Sequence, residues 1–499
     1  MSESLTLPAP LRELVARLPD GCEAYLVGGA VRDLLLGRPI VDLDLAVPSG
    51  ALALARRLAD GLGAAFVPLD DERGVARLVW ERDGEGRIEV DVADFRAAGL
   101  EGDLRARDLT INAMALPLAT PAAIIDPAGG RRDLEERVVR LLSPEVLADD
   151  PLRTLRAVRV AAQLGFRLDA TSASWIAAAA PSLAAVASER VRDELWKSIV
   201  APEPAATLRR LDELGLLPVV IPEVVPAHGL AQSPPHREDV WTHSLSVVAQ
   251  AAELVALVER LAAGRPAGDA DPALASALAP FAAPLAVRLA QPLAAERSAR
   301  GLLLLAALFH DLGKPPTRSA GEDGRIHFYG HEQVGAQLAA DRLSALRFSQ
   351  AEVQHVARVA RHHMRPLQLQ RPTPLGARAI HRFHQATGDV APEVCLLSLA
   401  DNLSKGPERT RGAWPDFVAR TAELLDAFFF RHDEVVAPPP LVRGGELVAA
   451  LRAAPGPWVG RLLAVLAEAQ AAGDVTTRDE AEAMARAWWR EQGAAEGAS

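Results

Sequence analysis
Glu23-Ala24-Tyr25-Leu26-Val27-Gly28-Gly29-Ala30-Val31-Arg32-Asp33-Leu34-Leu35-Leu36-Gly37 is followed closely by Val41-Asp42-Leu43-Asp44-Leu45-Ala46-Val47, and these two segments decide the first domain. The apolar run ending at Val27 is expected to be a strand, and Ala30-Val31-Arg32-Asp33 to open a helix. Two glycines at the junction let the backbone approach a ligand closely, and a helix start offers free N–H groups to a phosphate. In a strand, residues two apart point the same way, so Asp42 and Asp44 share one face while Leu43 and Leu45 anchor in a core. Paired carboxylates repel unless a cation lies between them, and hard oxygen ligands suit Mg²⁺. A later strand, RIEVDVADF, supplies Asp91 as a third carboxylate. Such a cluster suits two metals about 3.5–4 Å apart in an in-line phosphoryl transfer.

Around this nucleus the 499-residue chain falls into four expected regions: 1–148, with the strands; 149–226, helical; 227–407, richer in histidine; and 408–499, helical again. EAYLVGG, VDLDLAV, ARLVWE and RIEVDVADF are the strand candidates, and the abundance of Ala and Leu predicts helix nearly everywhere else. The Ala/Pro-rich stretch 263–294 is read as a variable insertion. Cys22 and Cys395 lie far apart, which argues against a disulfide framework and for a reducing cytoplasm. MSESLTLPAP has no basic stretch followed by an apolar one, so no secretion signal is expected there. The apolar run from Gly301 to Phe309 is too short to span a bilayer, so no membrane partner is expected. A net charge of −11 disfavours a broadly basic RNA-binding surface. The arginines cluster, however: Arg131, Arg132, Arg137, Arg140, Arg153, Arg156, Arg159 and Arg167 fall within one stretch.

Two further motifs narrow the ligand. In RDLTINAMA, read as a charged pair joined to a buried helix, Asp108 can accept from a ribose hydroxyl. Arg107 and Asn112 can bind triphosphate oxygens. In Asp149-Asp150-Pro151-Leu152-Arg153, Pro151 suits a first helical turn, so Asp150 and Arg153 can lie together at the helix start. Cytosine and adenine both show an amino donor beside a bare ring nitrogen. An Asp accepting from the first and an Arg donating to the second would choose C and A over G and U.

A lone Gly-Gly is ordinarily a turn, and a lone Asp-x-Asp a solvated face. VGGAVRDLLLG, DLDLAV, RDLTINAMA, DDPLRTLRAVRVAAQLGF and SERVRDELWKSI in this order are far more specific. The first segments resemble the polymerase β-like nucleotidyltransferases. Together they resemble the class II CCA-adding tRNA nucleotidyltransferase and bacterial poly(A) polymerase family over about residues 20–220. The resemblance implies an α+β fold: a small mixed-sheet nucleotidyltransferase head, then an all-α neck and body, an HD-type helical domain and a helical tail. It implies Asp42 and Asp44 as Mg²⁺ ligands and Asp91 as a catalytic companion. Gly28, Gly29, Arg32, Arg107, Asp108 and Asn112 would hold the nucleotide, Asp150 and Arg153 would read the base, and Arg156 and Arg159 would help with the triphosphate. The implied partners are CTP, ATP and a tRNA 3′ end; the implied reaction is CCA addition or repair, or only its CC or A part. Two departures stand out. Asp149-Asp150 replaces the family's usual Glu-Asp. The connection Val92–Ala106 is shorter than in many CCA-adding members, whose longer segment is associated with switching from C to A. Poly(A) polymerase is the alternative, but its strongly basic tail is missing from EQGAAEGAS.

The third set is His243 in VWTH, His310-Asp311 closing an apolar helix, His331 in YGHE, His362-His363, and Asp401 in LADNLSK. Adjacent His and Asp at a buried helix end are costly unless something binds them. The set resembles the HD phosphohydrolase superfamily over about residues 236–405. That resemblance implies His243, His310, Asp311 and Asp401 as ligands of one metal, with His331 and His362 or His363 (His363 preferred) for a second. Imidazole with carboxylate suits Mn, Ni, Co, Fe or Zn. Phosphohydrolase or phosphodiesterase activity is the implied chemistry. An HD phosphohydrolase with a vestigial head is a further alternative, although Asp42 and Asp44 are intact.

Overall fold
The alternation of Asp42–Val47 builds the centre of a six-stranded sheet in the computed structural model of the protein. The structure describes residues 7–496 apart from 41, 83–85, 120–122, 235, 295–296, 323 and 370–373, with the side chains of 407–412 and 492–496 also left out. The strands are β1 (Tyr25–Val27), β2 (Asp42–Val47), β3 (Ala65–Asp70), β4 (Val75–Arg82), β5 (Gly86–Asp94) and β6 (Ala115–Pro117), in the order β3-β4-β5-β2-β1-β6. β2 runs parallel to β5 and all other pairs are antiparallel, so the expected mixed sheet is present. Leu43 and Leu45 are buried on one face, where the helix Ala51–Leu62 packs with Leu54, Ala55 and Leu58 inward. The opposite face carries Asp42 and Asp44. Part of it is covered: Ala46 packs with Val27, Ala115 and Leu104, the last on the helix Gly99–Arg105.

Small elements depart from the sequence expectation. β3 and β6 were not expected as strands. The segment after Arg107-Asp108 holds only a single 3-10 turn, Thr110–Asn112, before β6 rather than a helix. Its apolar residues are buried because β6 pairs with β1, a long-range contact that outweighs local helix propensity.

The chain packs as two units. One comprises the described residues up to Pro202 with Arg209–Val220; the other comprises Glu203–Leu208 with the described residues from Ile221 on. The expected boundary at 148/149 falls inside the first unit, and that at 407/408 inside the second. In the first, the helices Arg153–Leu164 and Ser188–Ile199 pack together beyond the sheet. In the second, Val240–Ala262, Ala299–Phe309, Gln350–His362 and Ala391–Ser404 form a helical core, and Ala299–Phe309 is almost wholly buried. Pro272–Ala290 is long and apolar enough to cross a membrane by composition. Yet it is broken at Ala279–Phe281 and buries Leu274, Leu278, Phe281, Leu285 and Leu289. The stretch read as an insertion therefore contributes core helices.

Candidate active site and metal centre
Parallel pairing of β2 with β5 places Asp44 beside Asp91 in register, and Asp42 beside Glu89. Four carboxylates thus share the open face: the three aspartates, as the alternation predicts, and Glu89. Burial, then Asp91 and Asp42, push the Asp44 carboxyl above its ordinary range, against the pull of Arg107 and Arg156. Burial, Glu89 and Asp91 raise Asp42 in the same direction. This is the electrostatic signature of oxygens that a cation would relieve. Asp91 is different: Arg77, opposite it on β4, holds its two oxygens at 2.7 and 2.9 Å.

Gly28 stands at the junction of β1 and the helix Gly29–Leu35 with φ +74°, a conformation that disfavours side chains. A Cβ there would lie 2.9 Å from Asp44 Oδ2 and 3.2 Å from the Arg107 guanidinium. The glycine is therefore required twice, by its backbone and by the approach of Asp44. Arg107 is held by buried Asp103 at 3.0 Å, and Asp103 also accepts from the Arg96 backbone N–H at 3.1 Å. The short connection is thus folded onto the site by a buried carboxylate.

A cavity of about 1260 Å³ opens over this face. Asp44, Asp91, Arg107, Asp108, Asn112, Asp150, Arg153 and Arg156 line it, with Gly28 and Gly29 at its floor. Asp108 is deeply buried. Burial alone would raise its pKa, but Arg156 at 2.9 Å, the Asn112 amide and the Leu109 N–H bring it below the ordinary range. Asp108 therefore stands ionised as a fixed acceptor. Asn112 in turn accepts from Arg32 at 2.9 Å. Arg32 itself is tied to Asp33 and supports the site from behind, outside the cavity lining.

Asp150 and Arg153 both face the cavity, but no ion pair joins them. Arg190 holds the two oxygens of Asp150 at 2.8 and 3.3 Å, while Arg153 donates to the Val146 carbonyl at 3.2 Å. Arg159 is turned to Glu194 at 2.6 Å and to Gln163, and it does not line the cavity. Each three-residue step along a helix falls about 60° short of a full turn, so Arg153 and Arg156 face the cavity while Arg159 is carried round to the next helix. The cavity also takes in Arg190, Phe95 and Arg96. None of the three stands out in the sequence alone, although Arg190 lies inside SERVRDELWKSI, a motif that points to it.

The second unit gathers His243, His310, Asp311, His331, His363 and Asp401 from five helices or helix ends, all buried. His243 Nε2 lies 3.1 Å from Asp401 and 3.4 Å from Asp311. His310, His331 and His363 lie 3.2, 3.3 and 4.0 Å from Asp311. His310, His331 and His363 each place Nδ1 on a backbone carbonyl three residues earlier, at 2.6–2.8 Å. With Nδ1 as the donor, each leaves a bare Nε2. Nε2 of His310 and of His331 is buried without a hydrogen bond. Ligand atoms of His243, His310 and Asp401, and of His310, Asp311 and His363, fall within 4.8 Å of one another. The donor set fits a divalent transition metal. Gly313 makes the convergence possible: a Cβ there would meet the His331 carbonyl at 2.0 Å. His362 is turned away and accepts from Arg365 at 3.0 Å, so His363 is the inward member of the pair.

Lys314 and Lys405 donate to Asp311 and Asp401 at 2.6 and 2.7 Å. Burial pushes Asp311 and Asp401 upward, but neighbouring cations and imidazoles outweigh it and hold both well below the ordinary range. Neither lysine was singled out by the sequence reading, though each lies within four residues of its aspartate.

Three families match this chain: the poly A polymerase head domain over residues 24–140, the probable RNA and SrmB-binding site of polymerase A over 165–227, and the HD domain over 240–406. The chain is 35% identical over 475 residues to an A-adding tRNA nucleotidyltransferase of Deinococcus radiodurans, covering 94% of this chain and 96% of the relative. It is 37% identical over 479 residues to a CC-adding tRNA nucleotidyltransferase of Thermus thermophilus, covering 93% and 94%. Its fold is similar to the CCA-adding enzyme of Bacillus stearothermophilus in complex with CTP, with a TM-score of 0.61, 23% identity and coverage of 98% and 99%.

Proposed function
Because the chain belongs to the tRNA nucleotidyltransferase family, we propose that it transfers CMP or AMP from CTP or ATP to the 3′ end of tRNA and that its own share is C addition. The observation that carries the transfer is the juxtaposition of Asp44 with the Gly28 turn under the cavity, with Asp42 two residues away on the same strand face. Mg²⁺ held by Asp42 and Asp44 would supply charge neutralisation of the triphosphate and activation of the attacking 3′ hydroxyl, with two ions in the full scheme. Gly28 and Gly29 bring the backbone close to the phosphates. Arg107 and Arg156 put positive charge on the same wall, and Arg32 braces it through Asn112. Asp108 accepts from the ribose. Asp150 accepts from the exocyclic amino group that C and A share, and Arg153 donates to the ring nitrogen beside it. We place Asp91 as the third aspartate of this face, with Arg77 as its counter-ion, and Arg159 as a brace between its helix and Glu194.

C and A share a hydrogen-bonding edge but differ in size, so one pocket must be remodelled to take both. Val92–Ala106 is short and anchored by Asp103 and Leu104, which supports C addition with poor addition of the terminal A. Product sequencing on tRNA ending at the discriminator base, with CTP and ATP separately and together, tests this. Ends stopping at CC are expected. A single A added only to tRNA-CC would replace C addition with A addition, full CCA at comparable rates would remove the limit on the pocket, and A runs would point to poly(A) synthesis.

For the second unit we propose metal-dependent hydrolysis of a phosphate ester or diester. A divalent transition metal (Mn, Ni, Co, Fe or Zn) held by His243, His310, Asp311 and Asp401, with His331 and His363 beside them, would supply the Lewis acid. The unpartnered Nε2 atoms of His310 and His331 support this. With it goes the four-part division into head, neck, HD-type domain and tail. The place of action we infer is the cytoplasm, in keeping with the free thiols of Cys22 and Cys395.

A further inference from the structure
His236 lies outside every role assigned so far. Most buried histidines of the second unit hold a ring nitrogen within the protein, and His355, with a buried unpartnered Nε2 but away from the cluster, departs from this. His310, His331, His363, His381 and His384 each place one on a backbone carbonyl, and His243 meets Ser404. His236 has a buried Nδ1 with no hydrogen-bond partner among the described residues. A histidine placed only for packing would have one.

Its surroundings point to a purpose. The His236 ring meets that of His243 edge to face, with centroids 4.8 Å apart. The loop that presents it is braced: Ser233 Oγ accepts from the Ile326 N–H at 2.7 Å, and Asp239 accepts from the Gly229 N–H at 2.6 Å. Gln232, from the same loop, accepts from Lys314 at 2.7 Å. His236 is therefore held against the metal cluster by built contacts. It is also outside both groups of atoms close enough to share an ion. Lys314 and Lys405 bring positive charge to the same place.

We propose that His236 contacts the phosphoryl group of the molecule bound at the histidine–aspartate site, and that it is not a metal ligand. A tetrahedral phosphoryl group offers several acceptor oxygens. The two lysines answer its charge, and an imidazole N–H adds a donor of fixed direction. The inference rests on the reading of this cluster as a metal phosphohydrolase site and names the group that reads its substrate.

The full-length chain, loaded with Co²⁺ and followed by visible absorption, separates the two ideas. Inorganic phosphate is titrated into wild type, His236→Phe and His236→Gln. All three are expected to hold cobalt with the same phosphate-free spectrum. Phosphate should bind about tenfold more weakly to His236→Phe, and His236→Gln, which restores a donor, should recover part of the loss. Loss of cobalt or a changed phosphate-free spectrum in the variants would make His236 a ligand and overturn the proposal. Equal phosphate affinity in all three would overturn it as well. A wild-type chain that takes up no cobalt removes the metal-site reading itself and the inference with it.

Discussion

Arg190 donates to both carboxylate oxygens of Asp150, at 2.8 and 3.3 Å, from a helix 40 residues further along the chain. Asp150 is the proposed acceptor for the amino group of the incoming base, so its orientation is set by a residue that need not touch the base. Arg190→Ala is expected to lower discrimination against UTP and GTP by about tenfold, with a smaller change in triphosphate affinity. Arg153→Ala should relax base choice in the same direction. Misincorporation assays with each nucleotide alone check both. Unchanged selectivity in the two variants would dissociate Asp150 and Arg153 from base reading.

Gly28→Ala should disable nucleotide transfer without unfolding the chain. The added methyl needs a strained backbone and meets Asp44 Oδ2 at 2.9 Å. Displacing that carboxylate by a fraction of an ångström is expected to cost about a hundredfold in rate. Asp42→Ala and Asp44→Ala should abolish transfer outright. Asp91→Ala, which leaves Arg77 to Glu89, should lose about ten- to a hundredfold. Single-turnover rates at saturating Mg²⁺, with circular dichroism as the folding control, distinguish the three cases.

His310→Ala and Asp311→Ala should lose bound metal and phosphoester hydrolysis while nucleotide transfer persists. The two proposed chemistries draw on different residues in different units of the chain. Elemental analysis, hydrolysis of a 2′,3′-cyclic phosphate and a transfer assay on the same preparation provide the comparison. Wild-type metal content in both variants would refute the ligand assignment.

Glu352 is fully buried and paired with Arg297 at 2.6 Å. Burial raises its pKa, but Arg297 and Ser349 outweigh it and leave the carboxyl below its ordinary range. A depressed folded-state pKa contributes stability that is present above the unfolded value, about 4.3, and is lost as pH falls through the folded value. Glu352→Gln removes a buried charge that Arg297 pairs with and should cost about 3 kcal/mol at neutral pH. The gap in melting temperature between wild type and Glu352→Gln should then close as pH falls below about 4. A gap independent of pH would mean that packing, not charge, sets the cost.

Both candidate sites are legible in the chain where neighbouring residues alone set the pattern. β2 needed only its own alternation: Asp42 and Asp44 are two residues apart, so any strand there puts them on one face. The Gly28-Gly29 turn, the helix end at His310-Asp311 and the ordered His and Asp positions were equally legible, because each is a property of neighbouring residues. The small strands β3 and β6 were not, since three to six residues carry too little pattern to compete with a helical reading.

Partner choice belongs to the tertiary structure. Asp150 could have met Arg153 within its own turn, yet it meets Arg190; Asp91 shares the face of Asp44, yet Arg77 on the next strand claims it. His363 turns inward and its neighbour His362 outward. Backbone periodicity assigns a side chain to a face, and the chain itself supplies that. Which of several charged neighbours reaches it depends on strand register, helix phase and the approach of distant segments, where an ångström separates an ion pair from none.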